Sequence, residues 1–172
     1  MIYYGESSRE NGVNSINVEM SFCEDEGGFY GSTGDKTLDL LLGSFCRFGH
    51  IALTVDTEEY NEYTPETVAV LMGNATRMAI GELDESSICV SELPFGESLA
   101  KVGLDLSCNA LTAFVFDTEL NDDKKYISEF LKTYTFAMGK TLHVYILGNG
   151  GDRHKVEAVF RALGKCFFEC LK

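Results

Sequence analysis

Two stretches, FCRFGHIALTV at residues 45–55 and FAMGKTLHVYI at residues 136–146, follow one pattern and decide the fold. In each stretch an apolar segment with helical spacing stops at a glycine, and alternating apolar residues begin directly after it. A glycine at that position ends a helix, and the alternation that follows predicts a half-buried strand. The chain therefore contains the unit helix–glycine–strand twice, which indicates an internal duplication.

A glutamate recurs at a similar place in both copies, in the first turn of the helix that follows each strand. EYTPETV places Glu66 seventeen positions after Gly49, and DRHKVEAV places Glu157 eighteen positions after Gly139. Two helix starts with the same residue at similar spacing are better explained by duplication than by chance.

The half-repeats are expected at residues 1–84 and 85–172, packed as one compact α+β domain in which each half has the order β-β-α-β-α. The second helix of the first half is expected to begin with Thr64 as its N-cap and Pro65 at the first helical position. EDEGG predicts a turn, and the charge run ELNDDKK predicts a solvated loop. Alternation and helical spacing place the other elements: strands at residues 16–22, 50–55, 86–94, 98–107, 110–120 and 141–147, and helices at residues 37–49, 64–81, 122–139 and 152–171.

The composition argues against several classes of function. The net charge of -13 at pH 7 opposes binding to nucleic acid and to anionic membranes. No stretch approaches the ~18 apolar residues of a membrane span, and the N-terminus shows no signal peptide. The six cysteines form no CxxC pair, which predicts reduced core thiols in a cytoplasmic protein.

Five segments carry a resemblance to a known family: STGDKTLDLLL, EYTPETVAVLMGNATRMAIG, PFGESLAKVGLDLS, TFAMGKTLHV and DRHKVEAVFRALGK. Together they resemble imidazoleglycerol-phosphate dehydratase, a lyase of histidine biosynthesis. That family is itself a duplication, with a His-His-x-x-Glu motif opening the last helix of each half. The resemblance covers nearly the whole chain. It implies four helices packed between two four-stranded sheets, and subunits that assemble into a 24-mer held partly by metals.

The resemblance also implies a chemistry. In the family, manganese held by histidines and glutamates from both halves binds the substrate's imidazole ring, while a base removes a proton and water departs. Two imidazoles and two carboxylates would suffice to bind one Zn²⁺ or Mn²⁺. Four residues of this chain match ligand positions and form the candidate metal site: His143, His154, Glu157 and Glu66.

Each candidate ligand also has a purely structural explanation. His143 lies in a predicted strand, where a histidine is often a hydrogen-bonded core residue. His154 and Glu157 also suit capping and surface roles. The positive end of the helix macrodipole favours Glu66 and Glu157 at their helix starts without any metal. The sequence leaves both explanations open.

Other positions depart from the family's ligand pattern. Leu40 stands where the family has the histidine of Phe-Asp-His-Met, and Glu62 and Tyr63 replace the first His-His pair. Arg153 replaces the first histidine of the second motif. Leucine cannot coordinate a metal, and arginine keeps a fixed positive charge where the cation should be. Arg153 is therefore expected to form a salt bridge, with Glu157 or with Glu62 of a neighbouring chain.

The phosphate-binding positions of the family also differ here. Its basic residue after Gly-Ile-x aligns near Val90, and the arginine of Ser-Gly-Arg-Pro aligns with Asn109. Phosphate recognition relies on paired cationic donors, so no phosphate-binding residue is expected in this chain.

Two functions follow from this pattern. The first is a family protein with lost or altered dehydratase activity; if it is active, it is a metal-dependent carbon–oxygen hydro-lyase. The alternative is a non-catalytic paralogue acting as a scaffold, ligand-binding or regulatory protein. The expected cofactor is none or one weakly bound Mn or Zn ion, and a small imidazole-like compound is the ligand that the resemblance suggests. Self-association is expected because apolar helix residues such as Leu41, Leu42 and Phe45 need cover.

Overall fold

The computed structural model describes residues 3–11, 14–81, 87–107, 110–116, 120–121 and 123–172, and this part of the chain contains eight strands and four α-helices. The strands are β1 (Tyr3–Asn11), β2 (Asn14–Phe22), β3 (Gly28–Gly31), β4 (Ile51–Thr57), β5 (Ile88–Phe95), β6 (Ser98–Asp105), β7 (Leu111–Phe116) and β8 (Thr141–Gly148). The helices are α1 (Lys36–Gly49), α2 (Thr64–Ile80), α3 (Lys132–Met138) and α4 (Asp152–Cys170), with a π-helical segment at Tyr126–Leu131 leading into α3. No helix in these ranges is long and apolar enough to cross a membrane.

The strands form two four-stranded mixed sheets with the same internal order. The first sheet has the order β1-β2-β4-β3 and the second has the order β5-β6-β8-β7. β3 pairs in parallel with β4, and β7 with β8, while the other neighbours are antiparallel. The α+β class with two four-stranded sheets is therefore confirmed, and the repeated strand order is consistent with duplicated halves.

Each half has the order β-β-β-α-β-α, one strand more than the predicted β-β-α-β-α. In the first half, the sequence pattern did not reveal β1 and β3. β1 reads YYGESSREN and has few apolar residues, while β3 is only the four residues GFYG beside the predicted turn. Neither shows the alternation that identifies a strand. The predicted boundary between residues 84 and 85 lies outside the described residues.

The helices lie between the sheets, and each helix of the first half packs on a helix of the second half. α2 packs on β1 and β2, and α4 packs on β5 and β6, while α1 contacts α4 and α2 contacts α3. A glycine seven positions after each paired glutamate lies at each helix crossing. Gly73 of α2 lies against the Tyr134 carbonyl of α3, and Gly164 of α4 lies against the Phe45 carbonyl of α1. A side chain at either glycine would collide with the neighbouring backbone.

The ends of α1 and α2 differ from the predicted ends. α1 is closed by His50 in the left-handed conformation at φ 52°, rather than by Gly49. Gly49 is buried in the last turn, where a Cβ would lie 3.0 Å from the Gly164 carbonyl oxygen. Helix packing therefore explains this glycine. Thr64 is the first helical residue of α2 rather than its N-cap, and its Oγ1 accepts a hydrogen bond from the Asn61 N–H at 2.9 Å.

The predicted apolar face of α1 is covered within the chain. Leu41, Leu42 and Phe45 are fully buried, so the expectation that they need a partner subunit is wrong. Exposed apolar side chains lie instead on the outward side of the second sheet, and we call this set the outer apolar face: Ile88, Val90, Leu111, Val115, Tyr145 and Leu147.

Candidate functional site

Arg153, in the first turn of α4, is held by a salt bridge within the chain. Its Nε donates to Asp123 Oδ2 at 2.9 Å, and its Nη2 donates to Thr37 Oγ1 at 3.1 Å. The hydrogen bond to Asp123 raises the pKa of the guanidinium, which stays charged. The expected salt bridge of Arg153 is present, but its partner within the chain is Asp123 rather than Glu157. A pairing with Glu62 of a neighbouring chain stays a prediction.

Glu157, the glutamate that recurs in the second half, forms an ion pair with an arginine of its own helix. Arg161 donates from Nε and Nη2 to Glu157 Oε1 at 3.2 and 2.7 Å. Ser44 of α1 donates to the same oxygen at 3.1 Å. The Arg161 guanidinium also lies over the Phe95 ring, 3.9 Å from its centroid. Glu157 Oε1 thus accepts three hydrogen bonds, and Arg161 neutralises the carboxylate.

His154 packs against the end of β5 and the turn that follows. Its ring meets the Phe95 ring edge-on, with 4.9 Å between the centroids. Gly96 leaves the space for this ring, because a Cβ there would lie 2.7 Å from His154 Nδ1. Phe95 therefore contacts His154 directly and is linked to Glu157 through Arg161.

The start of α2, which the duplication pairs with the start of α4, borders an open cleft of about 420 Å³. Glu62 and Glu66 line this cleft and are exposed. Within the described residues, neither side chain has a hydrogen bond or an ion pair. Glu129 and Lys132 also line the cleft. Among the described residues, no cationic side chain forms an ion pair with Glu66, whereas Arg161 forms one with Glu157.

A polar network at the start of α1 borders the same cleft. Asp35 accepts hydrogen bonds from the Thr37 and Leu38 N–H groups at 2.9 and 3.2 Å, and from the Tyr126 hydroxyl at 2.9 Å. Lys125 Nζ lies 3.6 Å from its Oδ2. Burial alone would raise the pKa of Asp35, but the hydrogen bonds and the lysine charge outweigh it, so this pKa lies below its ordinary value. The ionised carboxylate thus joins α1 to the π-helical segment.

His143 lies on a different surface, the outward side of β8. It pairs in register with Gly103, and the two residues line a shallow cleft of about 290 Å³ beside Val90. Val90, near which the sequence analysis expects the family's basic phosphate-binding residue, is 54% exposed. Lys101 lines the same cleft but pairs with Glu92 at 2.9 Å. An apolar residue and a paired lysine do not provide the paired cationic donors that phosphate recognition uses.

The positions where the resemblance predicts the family's imidazoles are occupied by residues of other chemistry. Leu40 is 69% exposed and Tyr63 is 64% exposed, so both side chains extend into solvent from a single chain. Glu62, beside Tyr63, is also exposed. Asn109, the second phosphate position, lies outside the described residues.

The candidate metal ligands occupy three separate places in one chain. His154 and Glu157 open α4, Glu66 opens α2, and His143 lies on the outward side of β8. Among the described residues, no group of three or more His, Cys, Asp or Glu side chains could hold a metal ion. The four residues therefore do not fit a metal site within one subunit, and a site made from this set would need more than one subunit.

The sequence analysis did not identify the two residues that form ion pairs with Arg153 and Glu157 at the start of α4. Arg161 lies four positions after Glu157 on the same helix, and this i,i+4 spacing is a readable signal for an ion pair. Asp123 falls in the predicted solvated loop, thirty positions before Arg153. Only the folded chain brings Asp123 and Arg153 together.

Comparisons with known proteins agree with the fold and with the family that the sequence resembles. The family model for imidazoleglycerol-phosphate dehydratase matches residues 33–167. The imidazoleglycerol-phosphate dehydratase of Acetivibrio thermocellus is 32% identical over 171 residues, 93% of this chain and 86% of that protein. The one from Clostridium botulinum is 31% identical over 174 residues, 95% and 87% of the two chains. The crystal structure of the Staphylococcus aureus protein aligns with a TM-score of 0.79 at 20% identity, covering 97% of this chain and 96% of that one. The chain therefore belongs to the imidazoleglycerol-phosphate dehydratase family, a lyase family of histidine biosynthesis.

Proposed function

We propose that this member of the family has lost the dehydratase reaction or performs an altered one. The observation that carries the proposal is the state of Glu157, the retained motif glutamate, which Arg161 neutralises at 2.7 Å. The neighbouring motif position holds Arg153 in place of a histidine, and that cation is itself fixed by Asp123.

Electrostatics explains why this arrangement opposes metal chemistry. Coordination through Oε1 would cost Glu157 charge-assisted hydrogen bonds worth about 1.5–3 kcal/mol each, and the Arg161 charge beside the carboxylate weakens the attraction of either oxygen for a cation. The ion pairs of Arg153 with Asp123 and of Arg161 with Glu157 also keep two guanidinium groups at this position, and their positive charge offsets the carboxylates that would attract a cation. We therefore propose that the chain holds no metal, or one weakly bound Mn or Zn ion shared between subunits through His143, His154 and Glu66.

The alternative function is a non-catalytic paralogue that acts as a scaffold, a ligand-binding protein or a regulatory protein. The outer apolar face would serve a scaffold, because a cluster of exposed apolar side chains marks an association surface. We propose that copies of the chain associate through this face, in an assembly smaller or more variable than the family's 24-mer. We also propose that the cleft beside His143 binds a small imidazole-like ligand.

A dehydration assay tests the loss of activity. The purified protein is incubated with imidazoleglycerol phosphate and Mn²⁺, and we expect no product. The matched control is His154→Ala. Manganese-dependent product formation by the wild type that disappears in His154→Ala would contradict the proposal.

A metal titration tests the ion-pair explanation. We expect the wild type to bind at most one ion per chain weakly, and the double variant Arg153→His/Arg161→Gln to bind more tightly. Tight binding of two ions by the wild type would refute the neutralisation argument. No gain in the double variant would show that the motif residues do not converge, even between subunits.

Light scattering tests the association surface. Val90→Lys places a charge in the outer apolar face and is expected to shift the protein toward smaller species. Thr54→Lys, on the outward side of the first sheet, is the matched control and is expected to leave the size unchanged. A strict monomer for the wild type at micromolar concentration would rule out this association.

A further inference from the structure

Three cysteines meet where the last turns of α4 pack on the edge strand β5. Cys166 and Cys170 lie one turn apart on α4, and Cys89 faces them from β5. The Cys166 thiol donates to the Cys89 carbonyl oxygen at 3.3 Å. Burial and then the neighbouring Cys89 thiol raise the pKa of Cys170, so the two side chains are close neighbours. We call these three residues the thiol cluster.

The thiol cluster lies at the opposite end of α4 from His154 and is independent of the proposed function. Ser91 Oγ donates to Glu169 Oε2 at 2.6 Å beside it, which fixes β5 against the last turns of α4. All three thiols are free. Because no metal-holding group of His, Cys, Asp or Glu occurs in the described ranges, the chemistry available here is thiol–disulfide exchange rather than metal coordination.

Geometry selects one reactive pair from the three cysteines. Residues at i and i+4 of a helix have Cβ atoms roughly 5–6 Å apart, beyond the about 3.5–4.5 Å of a disulfide. Cys166 and Cys170 therefore cannot bridge each other. Cys166 is also fully buried, and its thiol points to the carbonyl oxygens of Cys89 and Val102. Cys89 and Cys170 are only partly buried, so a reagent can reach them.

We propose that Cys89 and Cys170 form a modification site that reacts with small-molecule disulfides and closes an intramolecular Cys89–Cys170 bridge. The thiolate of one cysteine attacks the S–S bond of the reagent, which forms a mixed disulfide and releases one small thiol. The second cysteine attacks the protein sulfur of that mixed disulfide, forms the bridge and releases the second small thiol. Two protein thiols are oxidised, one small disulfide is reduced, and the two protons pass to the released thiols.

The surroundings of the thiols determine how fast this exchange proceeds. Burial raises the pKa of Cys170 above its ordinary value and raises the pKa of Cys166 to about 12. Because the thiolate is the nucleophile, exchange is slow at neutral pH and accelerates as the pH rises. The site therefore responds to sustained oxidising conditions rather than to brief exposure.

The bridge would tie the edge strand β5 to the last turn of α4. It would close a loop of about eighty residues, and a native-like bridge of that span is expected to raise the Tm by roughly 5–10 °C. Addition of dithiothreitol would reverse the increase.

The test uses the full chain incubated with oxidised glutathione at pH 8. We expect intact-mass spectra to show the loss of two hydrogen atoms without a glutathione adduct, and peptide mapping under non-reducing conditions to join Cys89 to Cys170. Cys89→Ser and Cys170→Ser are each expected to abolish the bridge. Cys166→Ser is the matched control and is expected to retain it.

The opposing results are equally definite. A wild type that keeps all its thiols, a stable glutathione adduct, or a bridge that maps to Cys166 would overturn the proposal. A Cys89–Cys170 bridge that leaves the Tm unchanged or lowers it would show that the two thiols do not fit a disulfide in the native packing, and would also reject it.

Discussion

The starts of α2 and α4 occupy equivalent places in the two halves, but their charged side chains differ in whether they form ion pairs. At α4, Glu157 is neutralised by Arg161, and Arg153 is neutralised by Asp123. At α2, Glu66 faces an open cleft without a partner among the described residues. A repeated backbone therefore does not imply a repeated site, because the side chains that compensate each glutamate come from elsewhere in the chain.

The helix crossings show the reverse, since there the two halves use the same device. Gly73 and Gly164 occupy equivalent positions and allow α2 and α4 to approach α3 and α1 closely. The two helix crossings are therefore packed in the same way in both halves, whereas the two helix starts differ in their ion pairs. Substitutions at the glycines and at the charged residues of the helix starts can test this contrast.

The largest effects are expected at the glycines of the helix crossings. Gly164→Ala places a methyl group against the Phe45 carbonyl and should cost ~2–4 kcal/mol of unfolding free energy, measured by urea denaturation. Gly73→Ala should cost ~1–3 kcal/mol, because a Cβ there would lie 2.6 Å from the Ala137 Cβ. Gly43→Ala is the matched control, since nothing lies within 4 Å of its Cβ, and it should stabilise α1 by ~0.5–1 kcal/mol. Equal effects at all three glycines would contradict the packing interpretation.

The next largest effect concerns pH and Asp35 beside the α2 cleft. The pKa of Asp35 is lowered in the folded chain, so its stabilisation is present above the unfolded pKa of ~3.9 and is lost as the pH falls through the folded pKa. Asp35→Asn keeps the cap but removes the charge, and should cost ~1 kcal/mol at pH 7 and progressively less as the pH falls through the folded pKa. Urea denaturation at several pH values measures both. A cost that does not depend on pH would refute the electrostatic explanation.

A smaller effect is expected from the salt bridge at the α4 start. A double-mutant cycle with Arg153→Ala and Asp123→Ala should give a coupling free energy of ~0.5–1 kcal/mol, because the guanidinium is 43% exposed. Raising the salt concentration should reduce the coupling. If the coupling is zero, the pair does not compensate Arg153, and the contrast with α2 weakens.

The smallest effect is expected at the uncompensated glutamate of α2. Glu66→Gln should change the unfolding free energy by less than ~0.5 kcal/mol, since the lost interaction with the helix N-terminus is offset by relief of repulsion in the acidic cleft. Thermal denaturation of dilute protein measures it. A loss above ~1 kcal/mol that grows with protein concentration would show that Glu66 has a partner in another subunit.

Strong periodicity made most of the fold readable from the sequence. The alternation of Ile16, Val18, Met20 and Phe22 identified β2, and all four are buried as the pattern requires. The polar strand β1 and the four-residue strand β3 lacked such a pattern. They are strands because β2 and β4 offer free edges for backbone hydrogen bonds, which are tertiary partners.

Helix periodicity had a similar limit before Gly139. Spacing predicted a helix at residues 122–139, and the structure contains one, but Tyr126–Leu131 is π-helical. The spacing of apolar residues does not separate these two forms over a single turn. Tyr126 bonds to Asp35 from this segment, so a contact with the other half accompanies the change.

The sequence by itself determined the α+β class and the family, because these depend on local periodicity and on residues at fixed spacing. It also predicted a duplication, with which the repeated strand order is consistent. Tertiary structure decided which side chains contact each other. Asp123 reaches Arg153 across thirty positions, Ser44 reaches Glu157 from α1, and His143 faces the side of the second sheet that carries the outer apolar face. Such pairings depend on the direction of side chains after folding, and no local pattern encodes that direction.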